Sequence, residues 1–241
     1  MFHPFSRWRH FRALAFSSRL LFACCLLPWA SGCAHTPAGI AGPPPRELIL
    51  TLTVAGVISP DDFYYMALDF SGDASKGPLP VIGPPWGNGW GSGSITHYVR
   101  IQGNQAEVYH IRPGTNLLES DFLGRPFDYR PPLNSGTVVV TLDMDTLVPA
   151  TSSVTFVNVN YITTDRVDVD PRFTGPKLVD AFGENGSHFI TIPIRTSRVF
   201  TNNDFPTPIE GPGDVLLVPD RVPANAPNLD IVNWEIEVRL Q

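Results

Sequence analysis

The stretch Val232-Asn233-Trp234-Glu235-Ile236-Glu237-Val238-Arg239-Leu240 decides the fold class. Val232, Trp234, Ile236, Val238 and Leu240 are apolar, and the four residues between them are polar or charged. Successive side chains on a strand point to opposite faces, so this period predicts a strand with one face on a core and one in water. Near the other end of the chain, Leu48, Leu50, Leu52 and Val54 repeat the pattern. Residues 62–70 are rich in aromatics and read as a strand buried on both faces. Residues 137–142 and 154–164 are β-branched runs joined by a proline-containing turn, and residues 189–194 and 215–218 are shorter candidates. Lys177 to Phe182 reads as the one helical turn. The chain carries 25 prolines and 20 glycines, too many for long helices. No repeat of fixed period is visible, which argues against a solenoid or propeller. The expectation is an all-β fold: an antiparallel β-sandwich over residues 46–241, built as one extended domain or two packed lobes, with little helix.

Gly103-Asn104 predicts a hairpin. Both residue types accept positive φ, which the primed two-residue turns require. The register then sets Gln102 opposite Gln105, Arg100 opposite Glu107, Val99 opposite Val108, Tyr98 opposite Tyr109, and His97 opposite His110. An ion pair, an aliphatic pair and an aromatic pair coincide, and a slip of one residue would separate all of them.

That register makes His97 and His110 a candidate half-site for zinc or copper, since opposed Cβ atoms lie about 4.5–5.5 Å apart. A third ligand would have to come from His188 or an aspartate; without one, the two imidazoles are a stacked pair at the rim of an apolar face. Residues 84–94, Pro-Pro-Trp-Gly-Asn-Gly-Trp-Gly-Ser-Gly-Ser, set Trp86 and Trp90 among glycines. Exposed, these indoles with Tyr98 and Tyr109 would form a platform for a glycan or a partner protein; turned inward, they would plug the core. Asp69 and Asp73 vaguely resemble an aspartate-rich calcium loop, or an Asx-type turn. Asp165, Asp168 and Asp170 form a second acidic group, with Arg166 and Arg172 able to neutralise it locally.

The N-terminus holds a different kind of signal. Arg7, Arg9, Arg12 and Arg19 precede an apolar run from Leu20 to Trp29, followed by Ala30-Ser31-Gly32-Cys33. The run is too short to span a bilayer and matches the apolar region of a secretory signal. The order of basic, apolar, small-residue and cysteine segments resembles the signal peptide and lipobox of bacterial lipoproteins, although Ala30 stands where lipoboxes usually carry leucine. The resemblance implies cleavage before Cys33, acylation of that cysteine, and two or three chains for stable membrane anchoring. Ala34, rather than aspartate, after the cysteine implies the outer membrane. An ordinary secretory signal cut near Ala30 or Ala34 would instead release a soluble periplasmic or secreted protein. Residues 1–32 are then signal peptide, and residues 33–45, rich in alanine, glycine and proline, a tether.

Cys24 and Cys25 would leave with the signal, so the body has no internal disulfide and no thiolate zinc site. The net charge is −6, and the four arginines of the signal leave with no acid among them, so the remainder is more acidic still. With only Lys76 and Lys177 as lysines, it has no basic patch for nucleic acid. No nucleophile elbow, metalloprotease helix or phosphate loop appears. These features point to a lipid-anchored binding or structural module of the cell envelope, with a metal-dependent hydrolase or a carbohydrate-binding domain as the alternative.

Overall fold

In the computed structural model, residues 42–170, 172–183, 185–205 and 210–241 are described. The signal and lipobox, with Cys33, lie outside them. The strands of the first half are β1 Arg46–Val54, β2 Phe63–Asp69, β3 Pro78–Pro80, β4 Gly91–Gly93, β5 His97–Gln102, β6 Gln105–Ile111, β7 Ser120–Gly124 and β8 Asp128–Tyr129. Those of the second half are β9 Thr137–Asp143, β10 Phe156–Thr164, β11 Lys177–Ala181, β12 Ile190–Pro193, β13 Arg198–Thr201, β14 Leu216–Val218, β15 Val222–Pro223 and β16 Ile231–Leu240. All pair antiparallel.

Two large sheets face each other. The five-stranded sheet runs β13-β16-β1-β9-β8. The nine-stranded sheet runs β15-β14-β11-β10-β2-β5-β6-β7, with β12 also on β10. Leu48, Leu50 and Leu52 of β1 are fully buried against Tyr64, Met66 and Leu68 of β2 and Val157, Val159 and Tyr161 of β10 in one core. Each such leucine contributes about 1.5–3 kcal/mol by leaving water. Tyr161, Phe182, Trp234 and Phe205 form an aromatic run through this core, with successive centroids 5.1, 5.4 and 5.6 Å apart. Residues Pro43–Gln241 form one compact unit.

The expected strands and the hairpin register are present, with two local corrections. The β1–β16 register shifts at Thr53/Val54, so Ile231 rather than Val232 pairs with Val54 and turns inward. Such a shift marks a bulge, which inserts a residue and resets the alternation. Lys177 to Phe182 is not helical: Lys177–Ala181 is a strand, paired to β10 on one side and β14 on the other. Sheet pairing overrides the helix preference of lysine, leucine and alanine there. The longest described helix is α1, Met144–Leu147, capped by the Asp143 carboxylate, which accepts from the Asp145 amide at 2.9 Å.

The middle of the nine-stranded sheet is buried on its outer face too. Tyr65, Ala67, Tyr98, Ile162 and Ala181 lie under Trp90 and Ile95, while Val179 and Val218 lie under Val81 and Trp86. The covering segment, residues 78–96, is irregular apart from the β3–β4 pair, so its backbone needs partners from the sheet. Asn160 of β10 supplies one at its first residue and holds the 182–188 connection as well: its Nδ2 donates to the carbonyls of Pro78 and His188 at 3.0 and 2.9 Å, and its Oδ1 accepts from Phe182 N at 3.0 Å. Asn158 Nδ2 donates to Asp73 O and Lys76 O at 2.9 and 2.6 Å. Replacing Asn160 by alanine strands buried backbone groups, and the expected loss is about 3 kcal/mol. Urea unfolding checks this as a lower midpoint at unchanged slope.

Candidate functional site

The indoles of the glycine-rich segment point inward, while Pro84, Pro85, Gly87 and Gly93 stay exposed. Trp86 and Trp90 are 1% and 4% exposed and Tyr98 is 8% exposed, leaving Tyr109 half-buried. The platform expected from surface indoles is therefore corrected: both rings fill the outer layer of the sheet. Trp90 stacks on Tyr65 with centroids 4.1 Å apart and planes 3° apart, and it also meets Tyr98 at 4.9 Å. Trp86 donates its Nε1 hydrogen to Phe173 O at 2.9 Å and lies under the Lys177 ammonium, 5.0 Å from the ring centre. That ammonium donates to Gly89 O at 2.6 Å. Burial lowers the Lys177 pKa to about 8. Gly89 has φ of +88°, and a Cβ there would meet Val167 Cγ1 at 2.7 Å, so the tight turn that aims both indoles inward requires glycine.

His97 and His110 are opposed as the hairpin register requires, with centroids 4.8 Å apart and planes tilted by 49°. His97 is buried on the core side of β5, edge-on to Phe70 at 5.5 Å, with Nδ1 3.1 Å from Thr96 Oγ1. Burial, and then the charge of His110, push its pKa down to about 4. The β6–β7 ladder sets Asp121 opposite His110, but Arg112 Nε holds that carboxylate at 2.8 Å. Among the described residues, no group of three metal-ligating side chains includes either histidine. The third ligand that zinc or copper needs at this pair is not supplied, and His188 does not join it.

The flagged aspartates are engaged locally. Asp69 accepts from the Ser71 amide and hydroxyl at 3.0 and 2.8 Å, and Asp73 does the same for Ser75 at 3.0 and 2.6 Å, in Asx-type turns. Asp165 and Asp170 pair with Arg166 and Arg172, each at 3.1 Å.

A different acidic group forms from residues far apart in sequence. Asp180 on β11, Asp214 before β14 and Asp230 before β16 bring one carboxylate oxygen each to within 4.8 Å of one another. Asp180 and Asp230 are buried, and Asp214 is half-buried. Asp180 accepts from Ile231 N at 2.6 Å and Ala181 N at 2.9 Å, and both Asp230 oxygens lie 3.0 Å from Gly213 N. Glu210 lies alongside and accepts from Gly183 N at 2.8 Å. Burial and then mutual repulsion raise Asp180 well above the usual carboxylate range. Burial, above all, lifts Glu210 to about 8 and Asp214 to about 6. No local motif announces this cluster, because its members come from one strand and two separate connections far apart in sequence.

Comparison with models of protein families, with curated proteins and with solved structures finds no match to this chain.

His97 gives a pH dependence of definite sign. Above its ordinary value of about 6.5 neither state binds the proton; between 6.5 and 4 only the unfolded chain does, so stability falls as pH falls through that window. The full difference is about 3 kcal/mol. Comparing wild type with His97→Gln by urea unfolding from pH 7 to 4.5 is expected to show the wild type losing about 2 kcal/mol more.

Proposed function

We propose that this chain is a lipid-anchored module of the bacterial cell envelope, exported, acylated on Cys33 and held at the outer membrane, with a structural or protein-binding body. The observation that carries it is the order of segments ending at Cys33: basic residues, a short apolar run, then Ala30-Ser31-Gly32. Residues 34–45 follow, and the first strand starts immediately after them at Arg46. The compact body already takes in Pro43–Pro45, so the tether is residues 34–42, which as a flexible chain span roughly 17 Å. No helix of the described residues is long and apolar enough to cross a membrane, and an acidic body gains nothing from anionic lipid.

Within this reading, a structural or protein-binding role is favoured over a glycan platform, because the indoles that would stack on sugar rings are packed on Tyr65 and under Lys177. The metal-dependent hydrolase built on His97 and His110 is weaker, since it needs a third ligand that the described residues do not offer.

Expressed in a diderm bacterium, the full chain is expected in the membrane fraction, with an N-terminal tryptic peptide starting at Cys33 and carrying a diacylglyceryl group and an amide-linked acyl chain. Cys33→Ala should move the body out of that fraction. An unmodified N-terminus beyond residue 33, or intact precursor in the cytosol, would refute the anchor.

A further inference from the structure

We propose that Asp180, Asp214 and Asp230, with Glu210 beside them, form a binding site for a calcium-type divalent cation at the seam of the sandwich. This rests on no part of the anchor reading. The three aspartate oxygens already converge within 4.8 Å, the spacing of ligands around one ion. A second observation comes from Glu210. It is 3% exposed, one of its oxygens accepts from Gly183 N, and the other, Oε2, is buried with no hydrogen-bond partner. Buried carboxylate oxygens are costly without a donor or a cation, and Asp214 Oδ1 is in the same condition. Glu210 is close enough to repel Asp180, and Asp214 and Asp230 are close enough to repel Glu210. No salt bridge of the described residues reaches any of the four carboxylates. Arg221 lines the same cleft as Asp214 without pairing with it.

The ligand chemistry selects the ion. The three convergent aspartates offer only oxygen, and neither histidine nor cysteine contributes, which favours a hard cation over zinc or copper. Calcium accepts irregular shells of oxygen ligands, whereas magnesium demands a near-ideal octahedron and gives up its waters reluctantly. An entry path exists, because Asp214 lines a surface cleft with Gly211, Pro212 and Gly213. A bound ion would tie together the end of β11, the 210–214 connection and the start of β16, that is, both large sheets.

The test is calcium binding by the full chain, stripped with chelator and followed by equilibrium dialysis and thermal unfolding. One calcium per chain is expected, with an affinity of about 10⁻⁴–10⁻³ M, the range of extracellular modules. At 10 mM calcium the unfolding temperature should rise by about 5 °C, and by clearly less in 10 mM magnesium or in sodium chloride of equal ionic strength. Asp214→Asn, at the half-exposed rim, should abolish both the bound calcium and the shift. In chelator it should unfold no lower than wild type, because one of several crowded negative charges is gone. A merely structural Asp214 would instead lower the unfolding temperature in chelator and leave the calcium shift intact. That result, an absence of bound calcium in the wild type, or an equal shift in sodium chloride would each overturn the proposal.

Discussion

The central strands of the nine-stranded sheet, β2 and β10, are buried on both faces, and most of the architecture answers to that constraint. A sheet with one apolar face needs one partner layer; a sheet with two needs two. The inner face is covered by β1, β9 and β16, whose Leu48, Leu50, Leu52, Val140, Trp234 and Ile236 enter a shared core. The outer face has no third sheet of comparable size. The 78–96 segment serves instead, pressing Val81, Trp86, Trp90 and Ile95 onto it. Irregular backbone laid against a sheet carries unpaired amides and carbonyls, here those of residues 73–78 and 182–188, which explains the fully buried Asn158 and Asn160 in a strand otherwise made of β-branched and aromatic residues. Lys177 has the same role from β11, holding the carbonyl of Gly89.

The sandwich is closed differently at one end. There the inward positions of β10 and β11 are Thr163 and Asp180, directly paired across the ladder. Thr163 Oγ1 donates to Leu229 O at 2.6 Å, and Asp180 accepts from Ile231 N at 2.6 Å. Polar side chains of one sheet thus receive the backbone that enters the last strand of the other. Buried carboxylates raise the cost of this end in the absence of a positive partner, and they make it the place where an ion has most to contribute.

Fold class was legible because its signals are local. Alternation along residues 232–240 and 48–54 gives the faces, and Gly103-Asn104, with φ of 57° and 63°, gives the turn and so the whole β5–β6 register. What failed depends on partners elsewhere in the chain. Lys177 to Phe182 has helix-compatible composition and becomes a strand because β10 and β14 both offer edges. Trp86 and Trp90 sit in a glycine-rich stretch that reads equally well as an exposed loop; only the doubly buried sheet beneath decides their direction. The Asp180–Asp214–Asp230 group could not be read at all, since its members are brought together by topology alone. The aspartates that are close in sequence serve their own turns or neighbouring arginines.

Hydrogen exchange of the 86–93 segment tests most directly whether the outer cover is part of the core. Gly89 N donates to Trp86 O at 2.8 Å, and the amides of Trp90 and Gly91 donate to Asn88 Oδ1 at 3.0 and 2.8 Å. These amides should exchange as slowly as those of β2 and β10, through unfolding of the whole body. Exchange within seconds, at the pace of a solvated loop, would mean that the segment lies free of the sheet and that the second buried face does not exist.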